Sequence, residues 1–252
     1  EGDIPPGLPK KEVRLILSAN VLGDMSFSDY IMRGVLLAQK DFGFTFHYYI
    51  PESQEEAEKK MEEWSYHEAL QSLTILGSNE YEEIATRVNK DDTNHRFLLI
   101  EASSADFDIP VFRFCGYGVS FLTGIAAYTY THSDTAVYLG GQRNHAYLEE
   151  CRIGFRDGYR YAGGEEVVTA YLSDDHTGFS MAYEAYLLAD SLYRDYSFIY
   201  PVAGGSNDGV YRWLRDHPDQ DKFTAGVDVD QSAFSDHIIG SMIKEIGWSL
   251  YD

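Results

Sequence analysis

The segment Phe198-Ile199-Tyr200-Pro201-Val202-Ala203-Gly204-Gly205-Ser206-Asn207-Asp208-Gly209-Val210-Tyr211-Arg212-Trp213-Leu214 decides the fold. Its first five residues form a β-branched and aromatic run that stops at a small, polar stretch, after which apolar residues return at helical spacing. It therefore reads as a strand over Phe198–Val202, a loop over 203–209 and a helix over 209–214. A strand handing over to a helix is the repeating half of a parallel sheet with crossover helices.

The same alternation extends in both directions. Strands are read at 13–17, 45–50, 73–76, 97–100, 111–114, 136–139, 167–171 and 223–227. Helical periods fall between them at 28–42, 52–66, 81–88, 121–130, 146–161 and 179–192, the first carrying Ile31, Val35, Ala38 and Phe42 on one face. The fold class is α/β. At 252 residues the chain suits two lobes of roughly 100–130 residues each, every lobe a parallel sheet flanked by helices. Beyond the alternation no internal repeat is visible. The first crossing between lobes is placed at 110–114 and the return after Gln231. The first lobe is then 10–114 plus 237–252, the second 115–236, and residues 1–9, with three of the seven prolines, form a tether.

Composition narrows the partners. Hydrophobic residues make up 44% without a long apolar run or a low-complexity block, which opposes both disorder and membrane spanning. A net charge of −21, from 20 Lys+Arg against 41 Asp+Glu, repels phosphate backbones and anionic lipid surfaces, so nucleic acid is excluded as a partner. Two cysteines, Cys115 and Cys151, are too few for a disulfide scaffold and read as buried thiols or one bridge. The eight histidines lie singly, without an H-x-x-x-H spacing, so no metal site is expected. There is no G-x-S-x-G elbow and no phosphate loop, and Gly116-Tyr117-Gly118 lacks the third glycine of a dinucleotide fingerprint. The chain is expected to bind rather than to catalyse, and to need no cofactor.

In open α/β sheets ligands sit beyond the carboxyl ends of the strands. The loops there are Ser18-Ala19-Asn20, 23–27, Gly77-Ser78-Asn79, Glu101-Ala102-Ser103-Ser104, Gly140-Gly141-Gln142, 173–178, 203–209 and Asp228-Val229-Asp230-Gln231, all small and polar. Asp24, Ser26 and Ser28 precede a helix, where capping competes with binding as their explanation. Gly140-Gly141 reads as a tight turn, and Gly204-Gly205 is followed by residues able to cap the next helix.

Four blocks then line up in order: Asp24-Met25-Ser26-Phe27-Ser28; Ser120-Phe121-Leu122-Thr123-Gly124 with Ala126-Ala127; Val202-Ala203-Gly204-Gly205-Ser206 with Gly209-Val210; and Gly226-Val227-Asp228-Val229-Asp230-Gln231 followed by Ser241-Met242-Ile243-Lys244. With them the chain resembles the basic membrane protein family, the nucleoside-binding lipoproteins that feed ABC transporters. The resemblance implies a type I Venus-flytrap fold of the periplasmic-binding-protein kind, with the ligand between the lobes. Position by position, Phe27 would stack on a base, Gly204 would offer backbone, and Asp228 with Lys244 would hold the sugar. Asp24, Ser18, Glu101 and Asp175 complete the expected ligand-binding set.

The base end departs from the family. Ser18 and Glu101 stand where these receptors usually have aspartates, and the second stacking ring aligns near Asp174 or Asp175. Unless Tyr171, Phe179 or another ring fills that place, the ligand is smaller or more polar than a purine nucleoside. The family also continues past the lysine-bearing segment, so the closing segment 240–251 has sheet surface to cover. The expected function is capture of a nucleoside or related sugar-containing molecule for an ABC transporter permease. The Pro- and Gly-rich start at 1–9 reads as what a removed export signal leaves, so a monomer exported to the periplasm or cell surface is expected, touching the membrane only through an N-terminal lipid anchor. The alternatives are a ligand sensor for a signalling partner and a nucleoside or glycoside hydrolase. Asp228→Ala and Lys244→Ala are expected to abolish binding without unfolding the protein.

Overall fold

A computed structural model describes residues 11–19, 21–65, 71–89, 96–102 and 109–251. The expected tether 1–9, Asn20 and the Ser103-Ser104 loop lie outside the described residues. The chain divides into two compact units, one made of Glu1–Asn20, Ile31–Arg113 and Gly247–Asp252, the other of Val21–Tyr30 and Phe114–Ile246.

In the first unit the elements run β1 (Lys11–Ile16), α1 (Phe27–Phe42, whose first turn belongs to the second unit), β2 (Thr45–Tyr49), α2 (Gln54–Ser65), β3 (Gln71–Leu76), α3 (Glu82–Asn89), β4 (Arg96–Ile100) and β5 (Val111–Phe112). The second holds α4 (Gly116–Thr131), β6 (Thr135–Gln142), α5 (Ala146–Ala162), β7 (Glu166–Ser173), α6 (Ala182–Leu192), β8 (Phe198–Val202), α7 (Asn207–Asp216), β9 (Phe223–Asp228) and β10 (Ile238–Ile243). A final helix, α8 (Ile246–Tyr251), closes the described chain.

Each unit has a five-stranded sheet, ordered β2-β1-β3-β4-β5 in the first and β10-β9-β8-β6-β7 in the second. Every strand pair is parallel. Counted from each unit's own first strand, both sheets read 2-1-3-4-5, a repeat of topology that leaves no repeat in the residues. In this doubly wound order the strand direction of travel reverses between β1 and β3, and again between β6 and β8. The crevice for a ligand opens at the carboxyl ends of such a pair.

The central strands bury both faces, as strands inside parallel sheets do, whereas the edge strand β2 is largely exposed. In the second unit Tyr138, Phe198 and Tyr200 pack with Phe155 and Tyr159 of α5, while Val137, Leu139 and Ile199 pack with α6 and α7 through Ala189, Val210 and Trp213. In the first unit Ile16, Leu76 and Leu99 meet Ala57 and Met61 of α2 and Ile84 and Val88 of α3. Of the closing segment, 240–243 belongs to β10, and α8 packs on α1. Gly34 of α1 leaves room for the Gly247 backbone, and Tyr251 donates to Asp41 at 2.7 Å.

The return to the first unit comes later than the residue pattern suggested. Residues 237–246 were assigned to the first lobe, but β10 pairs with β9 through Ile238↔Thr224 and Ser241↔Gly226, which holds this segment in the second unit until Gly247. The tenth strand escaped notice because Gly240 and Ser241 interrupt its apolar run and its register is irregular between Ile238 and Ser241.

The glycines of α4 and α5 serve packing. A methyl group at Gly158 would lie 1.9 Å from the Phe121 carbonyl oxygen, and one at Gly124 would lie 2.3 Å from the Phe155 oxygen. The two helices thus touch backbone to backbone. Gly158→Ala must force them apart and should cost about 2 kcal/mol or more, read as a lower urea midpoint. Gly240→Ala, where nothing lies within 4 Å of an added carbon, serves as the neutral comparison.

Candidate functional site

The site of the second unit is built around a buried ion pair. Asp228 ends β9 in a left-handed conformation, φ 69°, which aspartate tolerates better than most residues. Lys244 follows β10, and its backbone N–H donates to the Asp228 carbonyl at 2.9 Å, extending the ladder by one step. That step places Lys244 Nζ 2.8 Å from Asp228 Oδ1, with each side chain only 5% exposed. The ammonium also lies 4.0 Å from the Tyr147 ring centroid and 5.2 Å from that of Phe27, within the range of cation–π attraction. Asp228 Oδ2 accepts a hydrogen bond from the fully buried Ser26 hydroxyl at 2.6 Å.

The segment that carries Ser26 and Phe27 is held by carboxylates. Asp24 accepts from the backbone amides of Ser26 and Ser28 at 2.8 Å and of Asp29 at 3.2 Å, so it caps the start of α1. Burial pushes the Asp24 carboxyl above its usual range, against the pull of those three amides. Asp29 reaches back to the amides of Gly23 and Met25, both at 2.8 Å. Buried Gln231 then ties this segment to the sheet: it accepts from Val227 N and Tyr211 OH and donates to the Met25 carbonyl.

At the β6–β8 switch point, Phe179 stands over glycines. Carbons added at Gly141 and Gly204 would lie 3.0 and 3.4 Å from its ring, and Gly204 itself has φ +54°. The Gly204-Gly205 turn also abuts Asp24, 3.4 Å from an added carbon at Gly205. Ser206 fixes the Phe179 loop by donating to the Gly178 carbonyl and accepting from Met181 N, both at 2.7 Å. Two imidazoles flank Phe179, His145 at 5.9 Å and His176 at 5.4 Å between ring centroids. Burial, reinforced by the charges of His176 and Lys244, lowers His145 from 6.5 to about 4, so its ring is neutral at neutral pH.

Of the residues singled out from sequence, Asp24, Phe27, Gly204, Asp228 and Lys244 thus come together in the second unit. Asp175 has a local task there. Its exposed carboxylate accepts from the Thr177 hydroxyl, from Thr177 N and from Ser173 Oγ, which holds it below the usual carboxylate range and caps the short turn His176–Ser180. Phe179, one of the rings named from the sequence for the place near it, lies farther along the same loop. Ser18 and Glu101 belong to the first unit, after β1 and β4. Buried Ser18 donates to Glu80 of the loop after β3, and Glu101 sits in a left-handed conformation at φ 60°.

Ser26, Tyr147 and His145 were missed as site residues. At Ser26 capping competes with binding as the reading of the sequence, and Tyr147 sits at the start of a helix, where a ring at helical spacing looks like core. Among the described residues no group of three or more His, Cys, Asp or Glu is placed to hold a metal ion. No described helix is long and apolar enough to cross a membrane.

A family model described as ABC transporter substrate-binding protein PnrA-like matches residues 11–252. Among solved structures, a solute-binding protein of an ABC transporter system from Aeropyrum pernix K1 superposes with a TM-score of 0.81 at 21% identity, covering 96% of this chain and 69% of the other. A twin-arginine translocation pathway signal protein from Burkholderia phytofirmans gives 0.78 at 11% identity, over 97% and 79% of the two chains. GanP, a glucose-galactose binding protein from Geobacillus stearothermophilus, gives 0.71 at 16%, over 96% and 89%. No curated protein matches the chain. At these identities the structural likeness speaks for the fold.

The depressed His145 has a consequence for acid stability. The unfolded chain takes up this proton near pH 6.5 while the folded chain resists until about pH 4. Stability is therefore lost as the pH falls through that window, by roughly 3 kcal/mol from this residue alone. His145→Phe should flatten the fall, measured as the difference between the wild-type and variant unfolding free energies from pH 7 to pH 4.

Proposed function

Because the chain belongs to the PnrA-like family of ABC transporter substrate-binding proteins, we propose that its second-unit site captures a nucleoside or a closely related glycoside for delivery to a permease. The observation that carries this reading is the Asp228–Lys244 pair, buried beneath the rings of Phe27 and Tyr147. A carboxylate offers about four acceptor sites, of which Lys244 and Ser26 use two, and a vicinal diol can donate to the others. An aromatic face at Phe27 suits a flat heterocycle, and Phe179 above Gly204 offers a second face for the gap that the sequence left open. Binding is reversible and leaves the ligand intact, since recognition of this kind needs only acceptors, an ammonium and apolar faces. The same reading places the protein outside the cytoplasm, exported or held at the cell surface.

The burial of the pair changes how it must be tested. Removing one partner strands a buried charge and costs about 3–5 kcal/mol, so single alanine variants lose stability as well as binding. The double variant Asp228→Asn/Lys244→Met removes both charges and keeps the volume. In a thermal-shift screen of nucleosides, nucleobases and free sugars, nucleosides should stabilise the wild type, by about 2.7 kcal/mol at a hundred times Kd, and leave the double variant unmoved. Phe27→Ala should weaken a nucleoside by about tenfold or more while sparing a free pentose. Retained affinity in the double variant, or no stabilisation by any hydroxyl-rich solute, would overturn the assignment.

A further inference from the structure

The turn from β6 into α5 contains two buried polar atoms that have no hydrogen-bond partner among the described residues, Gln142 Oε1 and His145 Nδ1. His145 occupies the N-cap position of α5, yet its side chain makes no capping hydrogen bond. Its ring instead faces Phe179 at 5.9 Å and His176 at 6.1 Å. Two residues further on, Tyr147 lies under the Lys244 ammonium. The turn therefore borders both halves of the site, the ion pair on one side and the Phe179–Gly204 wall on the other. A buried nitrogen without a partner costs about 1–3 kcal/mol, a cost recovered where a ligand supplies the partner.

Resting on the nucleoside reading above, we propose that His145 binds the primary hydroxyl of the ligand's sugar, the hydroxyl left over when the Asp228–Lys244 pair holds the vicinal diol, and that it sets the preference among otherwise similar glycosides. A hydroxyl both donates and accepts, so it fits a neutral imidazole in either tautomer. The ring is neutral because burial holds it so.

Calorimetric titration of inosine and 5′-deoxyinosine into wild type, His145→Phe and His145→Gln tests the assignment. Wild type should prefer inosine by about tenfold or more. His145→Phe keeps a ring of similar size and should bind both compounds alike, at the level wild type shows for the deoxy compound. His145→Gln, which retains a polar head, should recover part of the preference. A purely structural role for His145 would weaken both ligands together and leave their ratio unchanged. A preference that survives in His145→Phe, or equal binding of the two compounds by wild type, overturns the role of His145 alone. If wild type binds neither compound, the nucleoside reading falls and takes this inference with it.

Discussion

A lysine and an aspartate that are each 5% exposed cannot be left without compensation, and the second unit is arranged around that requirement. Desolvation costs several kcal/mol per ion even after relaxation, and the 2.8 Å contact offsets it only with further polar partners. The Ser26 hydroxyl supplies one, and the faces of Tyr147 and Phe27 supply a weaker attraction to the ammonium. The geometry works because β10 pairs with β9 in parallel, which sets Ile243 opposite Asp228 and brings the backbone of Lys244, one step beyond, onto the Asp228 carbonyl. It also explains why Val21–Tyr30 groups with the second unit although the rest of α1 does not. Ser26 and Gln231 tether that segment to the end of β9.

Parallel pairing imposes the second constraint. Every strand sends its carboxyl end to the same edge of its sheet, so residues distant in sequence gather there without any local signal. Phe179 follows β7, Gly204 follows β8, Asp228 ends β9 and Lys244 follows β10. The same rule fills the equivalent edge of the first unit with Ser18, Glu80 and Glu101. Glycines divide between two tasks under this arrangement. Those of α4 and α5 let helix backbones touch, whereas Gly141 and Gly204 leave space for a ring at the switch point.

The fold was legible because each strand except β10 is a short apolar run between small polar loops, and because the helices between them keep one apolar stripe. What the residues do not announce is pairing order, so the shared 2-1-3-4-5 topology and the membership of β10 appear only in three dimensions. At the candidate site, the resemblance singles out Asp228 and Lys244, which the fold buries as an ion pair. Unaided, an acid in a turn and a lysine near a strand end look like surface residues, and only their burial distinguishes them. Tyr147 and His145 carried no such signal. One begins a helix that reads as ordinary packing and the other is a solitary histidine, and their meaning comes from Lys244 and Phe179, which approach from other strands. The resemblance points to Asp175, and its loop chemistry, Ser173 and Thr177 on either side, makes it a turn cap.

Local charge and global charge pull in different directions here. The chain carries −21 overall, a field that keeps copies apart and opposes anionic ligands. Inside the site Asp228 and Lys244 cancel, His145 is neutral, and the Asp24 carboxylate is satisfied by three backbone amides. Among the described residues of the second-unit site, the Lys244 charge is already matched by Asp228. A ligand therefore gains by hydrogen bonds and ring contacts rather than by charge neutralisation. On the proposed reading, the remaining acceptor capacity of Asp228 can be used without breaking its contact with Lys244, so an uncharged diol would add to the buried pair instead of displacing it.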